Sequence, residues 1–465
     1  MLSQNHRGHQ SHGFATYNGS LERYSETGLI PPVSDAGMMS RVRALKGSTG
    51  IGNVRYTTSG ASDMSGLHRD AMPIVASQGG RTVAISFNGN VVNVRSLQDL
   101  VGADRSRSDA HALCQLILQE TGGTGSVEEA ARKCMEEVEG SFSITGLDGE
   151  GTLFAFKDPH GIKPLCHGCR GEVNAFSSES VGLDINGIPL EREIQPGEFM
   201  KVSGGQVTRE QLHPCKGKAF CAFEFAYFAR PDSRFNGTYV YLARQNFGAN
   251  LAKASPGLAE RCDVVLSLPE SANDATYGFH EETGLTWDMA TRRHRYVTQR
   301  AFITGGAERG SVIDRKINIL EPRVKGKKLA VVDDSIVRGD TTRRVISKLR
   351  AFGAEEVHMF ITFPRITGPC FYGIDMATYT ELIGAWKEPE EIAETIGADT
   401  VNYQSIDDYV QGASMSRDEF CFGCVTGEYP TPLAMELAKR MREQLSRGDS
   451  EKGRIYETTV AQSQE

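Results

Sequence analysis

The chain is 465 residues long, 39% hydrophobic and 24% charged, with a formal net charge of −8. That length supports two or three buried cores, and the negative balance excludes whole-chain attraction to nucleic acid or an anionic membrane, so a phosphate ligand has to be held locally. No apolar run approaches the ~20 residues of a membrane span, no signal-peptide pattern opens the chain, and ten cysteines are too sparse for a disulfide scaffold, which points to a cytoplasmic enzyme whose cysteines are buried or bind metal.

From Met1 to about Pro214 the sequence is Gly-rich with short strand-like runs at 52–57, 82–87, 141–144 and 152–156. Helical patterns interrupt them at 109–120 and 127–138. The spacing predicts an α+β domain of layered antiparallel sheets with helices over residues 1–217. Pro214 and Gly217 mark a polar linker. From about Phe220 the rhythm becomes strand-helix alternation, with 263–268, 328–332 and 356–363 as buried strands, which predicts an α/β domain with a parallel sheet over 218–447. Past Arg447 a polar tail, 448–465, is expected to be mobile.

The run Val331-Val332-Asp333-Asp334-Ser335-Ile336-Val337-Arg338-Gly339-Asp340-Thr341-Thr342 ends one of these strands with two carboxylates and a hydroxyl-rich turn. Val345, Ile346, Leu349 and Phe352 follow at helical spacing, with Gly353 as the stop. Ligands of open α/β sheets bind at the carboxyl ends of strands, and a helix N-terminus attracts phosphate. The bland alternative is a capped helix start on a solvated loop. Cys421-Phe422-Gly423-Cys424 is by itself ambiguous between zinc, redox and cluster chemistry, as is Cys166-His167-Gly168-Cys169.

The wording of the 331–342 run resembles the phosphoribosyl-pyrophosphate (PRPP) loop of type I phosphoribosyltransferases, and specifically that of the glutamine PRPP amidotransferase family. The resemblance implies that Asp333 and Asp334 bind the ribose hydroxyls while Arg338, Gly339, Thr341 and Thr342 enclose the 5-phosphate, with Ser335 also binding PRPP. Asp340 stands where the family has Thr, and because a carboxylate repels phosphate it is expected to point outward. Pro269-Glu270-Ser271-Ala272 resembles the family's pyrophosphate loop, with Ser271, Asp333 and Asp334 around Mg2+. Residues 295–303 resemble the lid that closes over PRPP, with one residue inserted near 298–299. Cys221, Cys370, Cys421 and Cys424 resemble the ligand set of a four-iron four-sulfur (4Fe-4S) cluster, with zinc or four unligated thiols as the alternatives and Cys166 and Cys169 as bystanders.

His6-Arg7-Gly8, 52–58, 87–90 and Ser108-Asp109 resemble the N-terminal-nucleophile glutaminase domain of the same family. By that resemblance Arg55 and Thr58 bind glutamine, Arg55 at the α-carboxylate, and Asp109 takes the α-ammonium. Asn88 and the Gly89 N–H form the oxyanion hole. The class uses an N-terminal Cys as nucleophile, whereas this sequence opens at Met1-Leu2-Ser3, and Cys114 and Cys134 lie in helical patterns. Either an internal Met has been taken as the start, or the first strand and glutaminase activity are lost. Loss of a central strand is costly against a total stability of ~5–15 kcal/mol, which favours an internal start. The expected activity is transfer of the glutamine amide nitrogen, or of ammonia, to PRPP, giving 5-phosphoribosylamine, glutamate and pyrophosphate at the first step of purine (IMP) synthesis. A homo-oligomer with purine nucleotides as feedback inhibitors is implied. The alternatives are a phosphoribosyltransferase with another acceptor, or a non-catalytic or ammonia-only PRPP-binding paralogue carrying the cluster.

Overall fold

The computed structural model describes residues 1–57, 59, 64–294, 317–451 and 453–457. Thr58 and the lid expected at 295–303 therefore lie outside the described residues. In the N-terminal half, six antiparallel strands run in the order Gln206–Gln211, Glu198–Ser203, Leu153–Lys157, Gly140–Asp148, Arg81–Val91, Ile74–Gln78. Successive side chains of a strand face opposite ways, and the core is divided accordingly. Val83, Ile85 and Phe142 pack with Leu113 and Ile117 of the helix Asp109–Thr124 and with Met135 of the helix Val127–Glu137. On the other face Ala84 and Leu147 meet Ala15 and Ile51. Those two belong to a three-stranded antiparallel sheet ordered Leu21–Thr27, Ser11–Tyr17, Thr49–Arg55. Sheet, sheet and helices thus form three layers. The strand expected to run to Thr57 ends at Arg55, because the Thr57 N–H is taken by the Gln10 side chain at 2.6 Å.

The C-terminal half has an all-parallel sheet ordered Thr286–Trp287, Val264–Ser267, Lys328–Asp333, Glu356–Ile361, Thr400–Tyr403. Parity again separates two faces. Val265, Ala330, Val332 and Phe360 pack under Leu251 of the helix Val240–Ala254 and Phe279 of the helix Asn273–Thr283. Leu266, Leu329, Val331 and Met359 pack under Val345 and Leu349 of the helix Asp340–Ala351 and Ile392 of the helix Pro389–Ile396. Burial on both faces explains why these strands are continuously apolar.

The halves are joined closely. The linker N–H groups of Lys216, Ala219 and Cys221 donate to the carbonyls of Pro159, His160 and Ile162. That loop is in turn organised by the buried Asp158 carboxylate, which accepts from the N–H groups of Phe142 and His160. The tail corrects an expectation: residues 453–457 are packed, not free. Ile455 and Tyr456 join the large core cluster of the C-terminal half, and these two apolar side chains outweigh the polar composition around them.

Candidate active site

The strand Arg81–Val91 crosses the floor of a cavity of about 100 Å3 whose lining includes Arg55, Asn88, Gly89 and Asp109. Four residues singled out from separate sequence fragments therefore meet in one place. Arg55, at the end of its strand, is buried, and its Nη2 donates to the Ser59 carbonyl at 2.7 Å while Nη1 has no partner among the described residues. Burial lowers the Arg55 pKa from its ordinary value, opposed by the Asp109 carboxylate. Asp109 begins its helix. Its carboxylate accepts from the N–H groups of Val91 at 3.1 Å and Ala110 at 2.9 Å, yet burial pushes its pKa up to about 6. The Asn88 Nδ2 is a buried donor without a partner among the described residues. Gly89 has φ +155°, and a Cβ there would lie 1.9 Å from the Ser141 carbonyl oxygen, so only glycine fits the strand pair. A guanidinium and a carboxylate beside the Asn88 amide donor can hold an amino acid by its α-groups and polarise its side-chain carbonyl.

The cavity wall contains a buried ion network that sequence reasoning missed. Arg7 donates to Glu179 at 2.6 Å and to Glu224 at 2.8 Å, and Lys163 lies 3.7 Å from Glu224. Burial alone would raise the Glu179 carboxyl, but Arg7 and His6 hold it well below its usual range. Arg7 lies more than 170 residues from both carboxylates in sequence, so no local signal marks the network.

At the carboxyl end of the parallel sheet the PRPP-like and pyrophosphate-like loops touch. The Ser271 hydroxyl donates to Asp334, and the Ser335 hydroxyl donates to the other Asp334 oxygen at 2.6 Å. Burial and the adjacent Asp334 push Asp333 well above its ordinary pKa. Asp334 is raised by burial, opposed by the two serine hydroxyls and by Arg244, a buried guanidinium held by the Phe225 and Ala229 carbonyls. Two desolvated carboxylates side by side favour a cation or several hydroxyl donors. Gly339 has φ +81° and precedes the helix Asp340–Ala351. Asp340 is half exposed and pairs with Arg343 at 3.2 Å, in keeping with an outward orientation. Arg338 is engaged by Glu381, a partner the sequence did not suggest. Thr342 is buried.

The four cysteines from three segments also converge. Cys221 and Cys421 are paired residues of a two-residue parallel bridge. Burial, with the neighbouring cysteines adding to it, pushes the Cys221 thiol up to about 11 and the Cys421 and Cys424 thiols higher. Among the described residues no three His, Cys, Asp or Glu side chains converge tightly enough for a single metal ion. Cys166 donates to the Ser177 carbonyl and Cys169 to the Gly171 carbonyl, apart from this group. Cys114 and Cys134 are buried in helices, with the Cys114 thiol pushed up to about 12 by burial.

A family model described as a glutamine amidotransferase domain matches residues 62–184. The amidophosphoribosyltransferase of Methanothermobacter thermautotrophicus is 34% identical over 439 residues, covering 93% of this chain and 90% of that protein. The chain belongs to the amidophosphoribosyltransferase family. A second family member, from Methanocaldococcus jannaschii, is 35% identical, with 94% of each chain covered. Among solved structures, the glutamine PRPP amidotransferase of Bacillus subtilis complexed with ADP and GMP superposes with a TM-score of 0.83 at 33% identity, covering 93% of both chains. Among the described residues, no helix is long and apolar enough to cross a membrane.

Proposed function

We propose that this chain is an amidophosphoribosyltransferase, moving the amide nitrogen of glutamine, or free ammonia, onto PRPP to give 5-phosphoribosylamine, glutamate and pyrophosphate at the first step of purine synthesis, in the cytoplasm. The observation that carries the reading is the agreement of family membership over nearly the whole chain with two ligand sites, one in each half. In the C-terminal half Asp333 and Asp334 orient the ribose through its hydroxyls, while residues 335–342 hold the 5-phosphate at the helix N-terminus. Ammonia then attacks C1 as pyrophosphate departs, through a transition state with oxocarbenium character. Ser271, Asp333 and Asp334 are the residues that would hold Mg2+, which supplies countercharge to the pyrophosphate when bound. In the N-terminal half Arg55 and Asp109 hold the α-groups of glutamine, with Asn88 and Gly89 facing the carbonyl oxygen; Thr58 is assigned to the same pocket. Halves 1–217 and 218–447 act as the two units of this enzyme, in a homo-oligomer open to purine-nucleotide feedback.

Cys221, Cys370, Cys421 and Cys424 fit a 4Fe-4S cluster. Four thiols drawn from three separate segments suit such a cluster, and among the described residues no three of them converge on a single ion as tetrahedral zinc requires. Purified anaerobically, the protein is expected to hold iron and sulfide and to release pyrophosphate from PRPP with ammonium. Asp333→Asn lowers that rate by about 100-fold or more with the fold retained. Pyrophosphate release without ammonium or glutamine dependence would defeat the assignment, and a colourless zinc protein would defeat the cluster.

A further inference from the structure

The segment that follows Cys370 does more than supply a thiol. The Cys370 N–H donates to the Met376 carbonyl at 2.7 Å, closing residues 370–376 into a loop, and the Tyr372 N–H donates to Cys370 Sγ at 3.3 Å. Its base is fixed to the neighbouring cysteine segment: the Phe371 ring packs edge-on against Tyr429, and the Tyr372 hydroxyl pairs with Thr431 Oγ1 at 2.9 Å. Its tip crosses to the other half of the molecule and meets the strand pair that carries Asn88 and Gly89. Asn90 Nδ2 donates to the Phe371 carbonyl at 3.0 Å, and Ser141 Oγ donates to the Tyr372 carbonyl at 2.9 Å. The same Ser141 oxygen accepts the Asn90 N–H at 3.2 Å. Gly373, at φ +97°, lines the glutamine cavity, and a Cβ there would lie 3.0 Å from the Gly89 carbonyl oxygen. Tyr56, one residue after Arg55, donates to Asp375 at 3.2 Å.

The Asn90–Phe371 and Ser141–Tyr372 hydrogen bonds are buried and polar, and they lie beside the Gly89 peptide. We propose that the loop from Cys370 to Met376 is the wall that positions Asn88 and Gly89 in the glutamine cavity, so that the cysteine cluster and the glutamine site are energetically coupled through Phe371, Tyr372 and Gly373. The inference rests on the glutamine and iron-sulfur readings of these two sites. Phe371, Tyr372 and Gly373 are positioning residues here, since their carbonyls and backbone act through the strand and not on the reacting atoms. Coupling of this kind is reciprocal: whatever the cluster does for glutamine binding, glutamine binding does for the cluster.

The test uses the full chain with glutamine as the probe. Iron and sulfide are assayed first, and the glutamine Kd of the iron-loaded protein is measured by calorimetry, so each underlying reading has its own readout. Hydrogen exchange is then followed for peptides spanning 81–91 before and after iron is removed with a chelator. Iron removal is expected to speed exchange across 88–91 and raise the glutamine Kd about tenfold, the scale of one lost buried hydrogen bond. Saturating glutamine is expected to slow oxygen-driven iron loss by the same factor. Gly373→Ala, which pushes on the Gly89 carbonyl, is expected to raise the glutamine Kd without changing iron content or ammonium-driven pyrophosphate release, which also reports that the variant is folded. Unchanged exchange at 88–91 on iron loss, or a Gly373→Ala glutamine Kd within twofold of the parent, overturns the coupling even where iron and glutamine both bind.

Discussion

Asp109 is a carboxyl that burial holds near the edge of ionisation, with a pKa of about 6 against an ordinary 3.8. Above that pH it is an anion beside Arg55, and on the proposed glutamine reading it attracts the α-ammonium. Below it the carboxyl is neutral and the attraction is lost, while the glutamine ammonium stays charged throughout. Glutamine affinity is therefore expected to be flat above about pH 7 and to fall by up to about tenfold per unit below about pH 6, with the dependence removed and binding weak at all pH in Asp109→Asn. Calorimetric titrations across that range check the sign; affinity that rises on acidification would show that Asp109 does not face the ammonium. This residue was singled out through the family resemblance of Ser108-Asp109, a local feature of the sequence. Glu179, Glu224, Arg244 and Glu381 were not legible, because each is defined by a partner far along the chain or by a carbonyl that only the folded structure presents.

Strands and their turns were the more legible scale, since period-2 alternation and continuous apolar runs are local properties, and the strand Lys328–Asp333 with the helix after it stands where the pattern put it. Ends of elements were less so. Arg81–Val91 runs four residues beyond the 82–87 reading because Asn88, Gly89 and Asn90 carry no strand propensity and are held by pairing with Ser143, Phe142 and Ser141. Pairing is what makes Gly89 irreplaceable. Gly89→Ala is expected to cost on the order of 2–4 kcal/mol, because its Cβ would meet a backbone carbonyl that cannot move without breaking the ladder. Gly122→Ala is the contrast: it lies within the helix Asp109–Thr124 with nothing within 4 Å of its Cβ position, and is expected to stabilise by about 0.5–1 kcal/mol. Denaturant midpoints of the two variants should move in opposite directions.

Across the whole molecule, the two proposed ligand sites are tied by a segment whose composition suggested a free tail. The Glu451 carboxylate accepts the N–H groups of Tyr379 at 3.0 Å and Thr380 at 2.8 Å, ordering the loop whose Glu381 holds Arg338 beside the phosphate turn. Six residues away, across the buried Tyr456, the Glu457 carbonyl accepts from Arg95 at 2.6 Å, and between them Arg454 donates to the Thr57 carbonyl at 2.7 Å, two residues past Arg55. One short stretch thus braces the loop beside Arg338 with one end and the strand end beside Arg55 with the other. Each charge-assisted hydrogen bond contributes about 1.5–3 kcal/mol, enough for roughly a tenfold or larger change in a local equilibrium. Arg454→Ala is therefore expected to weaken glutamine binding and leave the KM for PRPP unchanged in ammonium-driven pyrophosphate release, whereas Glu451→Gln is expected to raise that KM and leave glutamine binding unchanged. Ending the chain after Arg447 should produce both defects together, with iron content retained because the cysteines lie outside the segment. If the truncated chain matched the full chain in both measurements, the segment would be packing alone, and the two sites would have to be held by the 370–376 loop and the buried Arg7 network.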